Sequence, residues 1–350
     1  MRMRVFLIVG AVAVAVPVGI AANGGRGAVD PTFGAKGLVK GLVDVRVGSR
    51  SGVQDAAAQP DVKVVLAGFA ADSNSNTTSS DFLAVRLNRN GSLDQSFGAK
   101  GIVRTPIDPG NGSPSSAVAV ALALGSDGSI VLAGPIYRSG NDYPLAFARY
   151  TPAGKLDTSF SGDGILTLDL GPNVWVNDVV VQPDGKIVAV GQAGSSFMVM
   201  RLLSNGALDD SFGSGGIVNT NFDAPATGGT AAAVAVLGDG TILVAGTRWA
   251  NAPEYADVVL VRYLPNGQGD PSFGSGGVVV TPGPQAETAN ALAVAPDGKI
   301  VVVGTDGPPP YVCPYRSSVP CPPGRLPSNF HLVRYLSSGM LDRTFAASAS

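Results

Sequence analysis

A chain of 350 residues could hold two or three ordinary domains, or one repeat array. With 47 Gly, 26 Pro, 45% apolar and only 14% charged residues, the composition favours packed sheet over disorder. The formal net charge is −2 and Arg and Asp occur singly, which excludes the clustered basic footprint that nucleic acid requires.

In chain order, residues 1–22 read as a signal peptide. Arg2 and Arg4 form a basic start, Val5 to Val16 an apolar run broken by Pro17, and Gly19-Ile20-Ala21 offers small residues for cleavage. The alternative is a retained anchor, but the apolar stretch is shorter than the ~20 residues that span comfortably. Nothing later is apolar enough to cross a membrane. The expectation is a secreted, periplasmic or cell-surface monomer.

Residues 23–345 read as a single domain. The phrase Asp-x-Ser/Thr-Phe begins at Asp30, Asp94, Asp157, Asp209, Asp270 and Asp342, spaced by 64, 63, 52, 61 and 72 residues. It brackets five units, about 30–93, 94–156, 157–208, 209–269 and 270–345, followed by a disordered tail over 346–350. Each unit continues with a Gly-rich turn such as Gly98-Ala99-Lys100-Gly101 and a short apolar strand such as Ile102-Val103. A second strand follows, for example Ala117 to Leu124, and ends in a turn such as Pro183-Asp184-Gly185-Lys186. Asp-Gly between two β-rich runs predicts a type I′ hairpin. The third strand runs to Gly68, Gly134, Gly191, Gly246 or Gly304 and is expected to stop there. The fourth carries Val-Arg-Tyr, as at Val261-Arg262-Tyr263.

Each unit is thus expected to be a four-stranded antiparallel meander. Continuous apolar strands need cover on both faces, and a propeller supplies it by sandwiching each blade between neighbours. The sequence therefore predicts an all-β, five-bladed β-propeller, with a straight solenoid as the runner-up. The N-terminal copy of the phrase could complete the last junction.

The phrases Leu208-Asp209-Asp210-Ser211-Phe212-Gly213, Gln182-Pro183-Asp184-Gly185-Lys186-Ile187 and Val261-Arg262-Tyr263 resemble the delta-60 repeat family of bacterial exported proteins. The resemblance covers residues 29 to 345 and implies a propeller-like repeat protein without an established activity or functional residues. The first unit departs from the pattern, because Pro60-Asp61-Val62-Lys63 lacks the turn glycine.

Arg86, Arg149, Arg201, Arg262 and Arg334 precede Asp94, Asp157, Asp209, Asp270 and Asp342 by eight residues each time, and a Phe follows each Asp by three. A charged ring around a channel is one reading. Five equal copies suit a scaffold better: the Asp accepts hydrogen bonds in a turn, the Arg pairs with it or with turn carbonyls, and the Phe wedges between blades.

No Gly-x-Ser-x-Gly or phosphate-binding Gly-rich motif is present, and His331 is the only histidine, on a predicted strand. Two Asp residues converging in a channel could still serve a hydrolase or lyase. Asp72-Ser73-Asn74-Ser75-Asn76 begins like a calcium loop, but Thr77 and Leu83 occupy the positions of its Gly and Glu, so it reads as a polar loop. No cofactor is expected, with Ca²⁺ the one candidate. Cys313 and Cys321 share a Pro-rich loop and suit a local disulfide better than free or metal-bound thiols.

Length variation points to the binding side. Between the third-strand Gly and the fourth-strand Arg lie 17, 14, 9, 15 and 29 residues, whereas the Asp-Gly and Asp-x-Ser-Phe turns hardly vary. Turns alternate between the two edges of a meander, so the variable connections share one face. Tyr137, Tyr143, Trp175, Trp249, Tyr255, Tyr311 and Tyr315 fall there, and such rings suit recognition surfaces. The sequence thus reads as a non-catalytic binding or structural module, contacting an extracytoplasmic protein or a glycan through that face.

Overall fold

Valine- and alanine-rich runs between glycine-bearing turns fold into twenty strands among the residues that the computed structural model describes: 45, 47–72, 79–108, 116–138, 143–223, 226–250, 256–283, 286–307 and 329–345. The signal-peptide reading, the phrase at Asp30, residues 73–77 of the calcium-like loop, Tyr255, Tyr311, Tyr315, both cysteines and the tail lie outside them.

Five antiparallel sheets result, each one blade. The first is β1 (Arg50–Ala58), β2 (Val64–Ala71), β3 (Asp81–Leu87) and β4 (Ile102–Thr105). The second has a divided first strand, β5 (Ser116–Ala117) and β6 (Ala121–Leu124), then β7 (Ile130–Tyr137), β8 (Leu145–Tyr150) and β9 (Ile165–Leu168). The third is β10 (Val174–Val181), β11 (Ile187–Ala193), β12 (Ser196–Leu202) and β13 (Ile217–Thr220). The fourth is β14 (Ala226–Val236), β15 (Ile242–Ala250), β16 (Ala256–Tyr263) and β17 (Val278–Thr281). The fifth shows three described strands, β18 (Glu287–Val294), β19 (Ile300–Asp306) and β20 (Asn329–Tyr335). The chain is all-β with a β-propeller fold.

Two compact units divide the chain, Met1–Ala189 with Arg201–Asp209, and Val190–Met200 with Asp210–Ser350. In the first, Val65, Phe82 and Phe97 of sheet one share a core with Leu122, Ile130 and Tyr150 of sheet two. In the second, Leu243, Leu260 and Phe273 pack with Leu292, Val302 and Tyr335. β7 is buried from Ile130 to Ile136, on both faces, as its unbroken apolar run requires.

Three sequence expectations need correction. The sheets run one strand out of phase with the sequence units: Ile102–Thr105, which opens the second unit, pairs with Phe82–Val85 of the first sheet. The reason is local. The phrase turn is short and brings the next strand straight back onto the strand before it, with Asp94 N–H bonded to Arg86 O and Arg86 N–H to Gly101 O.

The third-strand glycines do not end their strands. Gly134 and Gly304 lie inside β7 and β19, and a Cβ at either would collide with a backbone carbonyl, of Val118 or Thr288. Opposite Gly304 the register of β18 shifts between Ala289 and Ala291, a bulge that pushes the backbone against the glycine.

The Asp-Gly turns are not type I′. At Gly125–Ser129 and Gln182–Lys186 the glycine is left-handed, at φ 81° and 83°, while Asp127 and Asp184 are absent from the positive-φ residues. Gly185 N–H bonds to Gln182 O and Gln182 N–H to Lys186 O, which is a type I turn closed by a glycine bulge. Asp184 Oδ1 accepts Lys186 N–H at 3.1 Å and so favours this three-residue loop.

The first unit keeps the same turn without its glycine. Val62 takes the left-handed place at φ 61°, with its N–H bonded to Gln59 O, and it is 40% exposed. A β-branched residue there is strained by about 1–2 kcal/mol. Val62→Gly relieves the strain but adds freedom to the unfolded chain. The net expectation is a gain of about 0.5–1 kcal/mol, read as a higher urea midpoint at unchanged slope. A lower midpoint would show that the valine is not strained.

Candidate ligand-binding face

The repeated charged pairs form, and they tie sheets together. Each Arg Nε donates to its Asp Oδ2, at 2.8 Å for Arg86–Asp94, 2.9 Å for Arg149–Asp157, 2.7 Å for Arg201–Asp209, 2.8 Å for Arg262–Asp270 and 2.9 Å for Arg334–Asp342. The other carboxylate oxygen accepts the N–H and hydroxyl of the Ser or Thr two residues on, for Ser96 at 3.0 and 2.7 Å. That explains the Ser/Thr of the phrase. Arg86 Nη1 also donates to Pro152 O at 2.6 Å and Arg262 Nη1 to Ser337 O at 2.9 Å, both in a turn of the following sheet. Burial pushes the Asp94 carboxyl up, but bonds from Ser96 and Lys63 and the charge of Arg86 outweigh it and hold the group well below the usual range.

Arg86, Arg149, Arg262 and Arg334 also lie over the phrase phenylalanines, 4.5 Å from ring centre for Arg86 over Phe97. Phe97, Phe160, Phe212 and Phe273 are fully buried. Phe97 faces Gly154, where a Cβ would sit 2.7 Å from the ring, so the wedge needs a glycine in the next sheet's turn. The tyrosine of the Arg-Tyr phrase adds a second pin. The hydroxyls of Tyr150, Tyr263 and Tyr335 bond to Thr105, Thr220 and Thr281 at 2.7, 2.7 and 2.6 Å, each Thr ending the last strand of the preceding sheet. Where the phrase reads Arg201-Leu202, the matching strand β9 ends in Leu168 instead.

In the first unit, three of the seven candidate rings converge from three segments. Tyr137 ends β7, Tyr143 precedes β8, and Trp175 is the second residue of β10. Tyr143 lies 5.6 Å from Tyr137, ring centre to centre, at 68°, and 4.7 Å from Trp175 at 38°. Tyr137 is 40% exposed and the other two are half-buried. Arg138, the residue after Tyr137, lies with its Nη1 3.9 Å from Asp169 Oδ2. Trp249 belongs to the second unit, where its indole nitrogen packs over Gly228. A cavity of about 330 Å³ lies at the short-turn edge instead, and its Arg149 is engaged by Asp157 and the Ser204 carbonyl.

The second unit holds a feature that motif reading missed. Glu287 is 5% exposed and its Oε2 lies 3.4 Å from His331 Nδ1. Burial raises the Glu287 carboxyl, His331 opposes the rise, and Asp306 and Asp257 add to it. Gly283 makes room, since a Cβ there would collide with the carboxylate. At the register position of Glu287 the first, second and fourth sheets carry Ser51, Ala117 and Gly229, and at that of His331 they carry Leu83, Ala146 and Val259. Only an alignment of the copies by strand register would have exposed the substitution.

Asp55, on β1, answers the expectation of free channel carboxylates. Its Oδ1 accepts Ala56 N–H at 2.7 Å and its Oδ2 accepts Leu122 N–H at 2.8 Å, so it joins β1 to β6. Among the described residues no group of three or more His, Cys, Asp or Glu could hold a metal ion. Among them, too, no helix is long and apolar enough to cross a membrane.

A family model described as "Domain of unknown function (DUF5122) beta-propeller" matches residues 59–97, 125–160, 182–212 and 237–273. Each match runs from the Asp-Gly-type turn to the phenylalanine of the phrase. No curated protein matches the chain in sequence. Among solved structures, the RRP9 WD40 repeats align over 73% of this chain and 58% of theirs, at 13% identity and a TM-score of 0.41. A protein from Lactobacillus plantarum aligns over 70% and 63%, at 12% and 0.37, so the chain spans less than two thirds of either. A glucose dehydrogenase aligns over 74% and 81%, at 12% and 0.42. With five meander sheets in register and four matched repeats, the chain is a β-propeller repeat protein.

Proposed function

We propose that the protein is a non-catalytic, exported binding module of the delta-60 repeat kind, which contacts a protein or a glycan through the face carrying its variable connections. The convergence of Tyr137, Tyr143 and Trp175 carries this reading. Large rings are costly to leave at a surface, and here strands hold two of them half-open rather than folding them into the core. A second reading, hydrolysis or elimination by an acid–base pair, is favoured by Glu287 and His331, because a buried carboxyl and an imidazole 3.4 Å apart stand where the first, second and fourth sheets carry no ionisable group.

One set of variants separates the two. A variant with Tyr137, Tyr143 and Trp175 all changed to Ala should keep its melting temperature within a few degrees and lose any ligand found by pull-down or glycan array. Glu287→Gln should leave that binding intact. Ligand retention by the folded triple variant would overturn the binding face. Turnover of a substrate that Glu287→Gln abolishes would establish the second reading.

A further inference from the structure

The short-turn edge of the first compact unit carries a second site, separate from the rings. We infer that the cavity beside the first hairpin turns of sheets two and three takes a primary alkylammonium, the chemistry of a lysine side chain.

The other sheets show what this cavity lacks. The turn joining the first two strands ends in Lys63 in sheet one and in Lys186 in sheet three. Their ammonium groups reach the phrase carboxylates, Lys63 Nζ to Asp94 Oδ2 and Lys186 Nζ to Asp209 Oδ2, at 3.2 Å each. Each also lies near the Asp of its own turn, 3.3 Å from Asp61 and 3.7 Å from Asp184. Two sheets thus hold an ammonium between two carboxylates. The phrase arginine does not prevent it, since Arg86 Nε shares Asp94 Oδ2 with Lys63 at 2.8 Å.

Sheet two keeps both carboxylates and loses the lysine. Its turn, Gly125–Ser129, ends in Ser129, whose N–H bonds to Asp127 Oδ1 at 2.9 Å. Its phrase carboxylate is Asp157, and among the described residues Arg149 is the only cation paired with it. Turn Asp, phrase Asp and phrase Arg therefore leave one negative charge unmatched, which Lys63 and Lys186 cancel in their own sheets. The side chain of Asp157 is accordingly 24% exposed, against 9% for Asp94 and 5% for Asp209. The hydroxyl of Ser129 holds the Asp127 carboxyl below its ordinary value, and that of Ser159 does the same for Asp157. Both are charged at neutral pH.

The space matches the missing side chain. The cavity, of about 330 Å³, is lined by Asp127, Ser129 and Arg149 of sheet two and by Asp184 of the next turn. Val131, Val181 and Ile187 give it an apolar wall. An alkyl stem can lie along that wall with its ammonium at Asp127, as lysine stems lie along apolar surface. A bare metal cation would gain nothing from the wall, and an anion would meet two carboxylates. The fourth sheet also lacks the lysine, with Thr241 in its place, but there the phrase Asp270 side chain is only 10% exposed.

The test uses the isotope-labelled full chain, titrated at about pH 7 with n-butylamine, which is the lysine stem and ammonium alone. The amide signals of Asp127, Ser129 and Gly185 should move saturably, with a dissociation constant of about 1–10 mM. That affinity should fall several-fold between about 50 and about 500 mM NaCl. n-Butanol, which has the stem without the charge, should leave the signals in place. Ser129→Lys supplies the protein's own ammonium and should weaken butylamine binding at least about tenfold. Asp127→Asn should weaken it at least about fivefold. Asparagine keeps such turns elsewhere, where Asn90 and Asn205 accept the N–H of Ser92 and Ala207 at 3.0 and 3.1 Å.

Nα-acetyl-lysine methylamide separates the two sources of the ammonium. Binding as tight as butylamine assigns the site to a lysine of a polypeptide, and failure beside bound butylamine assigns it to a free amine. Either result upholds the ammonium. No saturable movement with butylamine up to about 100 mM would overturn the inference. Binding undiminished in both variants, or matched by n-butanol, would overturn it too. None of these results bears on the rings, whose own test is the triple alanine variant.

Discussion

Replacing Arg86 with alanine is expected to lower the unfolding free energy by about 3–5 kcal/mol, measured by urea denaturation. Arg86 and Asp94 are each only 6% exposed, so the change leaves a carboxylate buried without its main counter-charge. It also removes the bond to Pro152 O, and with it a tie between the first sheet and the turn of the second. Lys63, 3.2 Å from Asp94, softens the loss and places the expected value near the lower end. Removing both partners discriminates between causes. In Arg86→Ala/Asp94→Ala no charge is stranded, so the double variant should be more stable than Arg86→Ala alone. A single-variant loss below about 1 kcal/mol would reduce the pair to an ordinary surface contact.

That pair was legible in the sequence because a repeat exposes its own scaffold. Five copies of Arg and Asp at one spacing announce a shared structural duty, and the bonds to the turns agree with it. The phase of the sheets was not legible. A short strand after the phrase can pair backwards or forwards, and only the tightness of the phrase turn decides for the strand before it. The turn type was misjudged because an Asp-Gly doublet serves two- and three-residue loops alike. What distinguishes them is the Asp side chain capping the residue two places on. The aromatic cluster was half legible. Length variation singled out the connections near which its rings lie, but which of them meet depends on strand register. Glu287 and His331 stood out only as rare residues, and their meaning came from what the other sheets hold in the same positions.

A large pH effect between acid and neutral pH is expected from one group, Asp55. Burial pushes its carboxyl up to about 6 from 3.8, although the N–H groups of Ala56 and Leu122 pull the other way. A folded value above the unfolded one means that the folded chain binds the extra proton between those two limits. The contribution is therefore fully present below about pH 4 and is lost as the pH rises through about 6. Some two pH units of separation correspond to about 3 kcal/mol. In Asp55→Asn the side chain stays uncharged throughout, so the stability of the native protein minus that of the variant should fall by about 3 kcal/mol between about pH 4 and pH 7. Other carboxylates act at lower pH, among them Asp157 and Asp270, which hydrogen bonds hold below their ordinary value and whose stabilisation is lost as the pH falls below the ordinary carboxylate range. They are common to both proteins and cancel in the difference. A difference that stays level, or rises with pH, would mean that the two backbone N–H groups outweigh burial and that Asp55 is charged throughout. The link between β1 and β6 would then be an ionic one, strengthened rather than weakened at neutral pH.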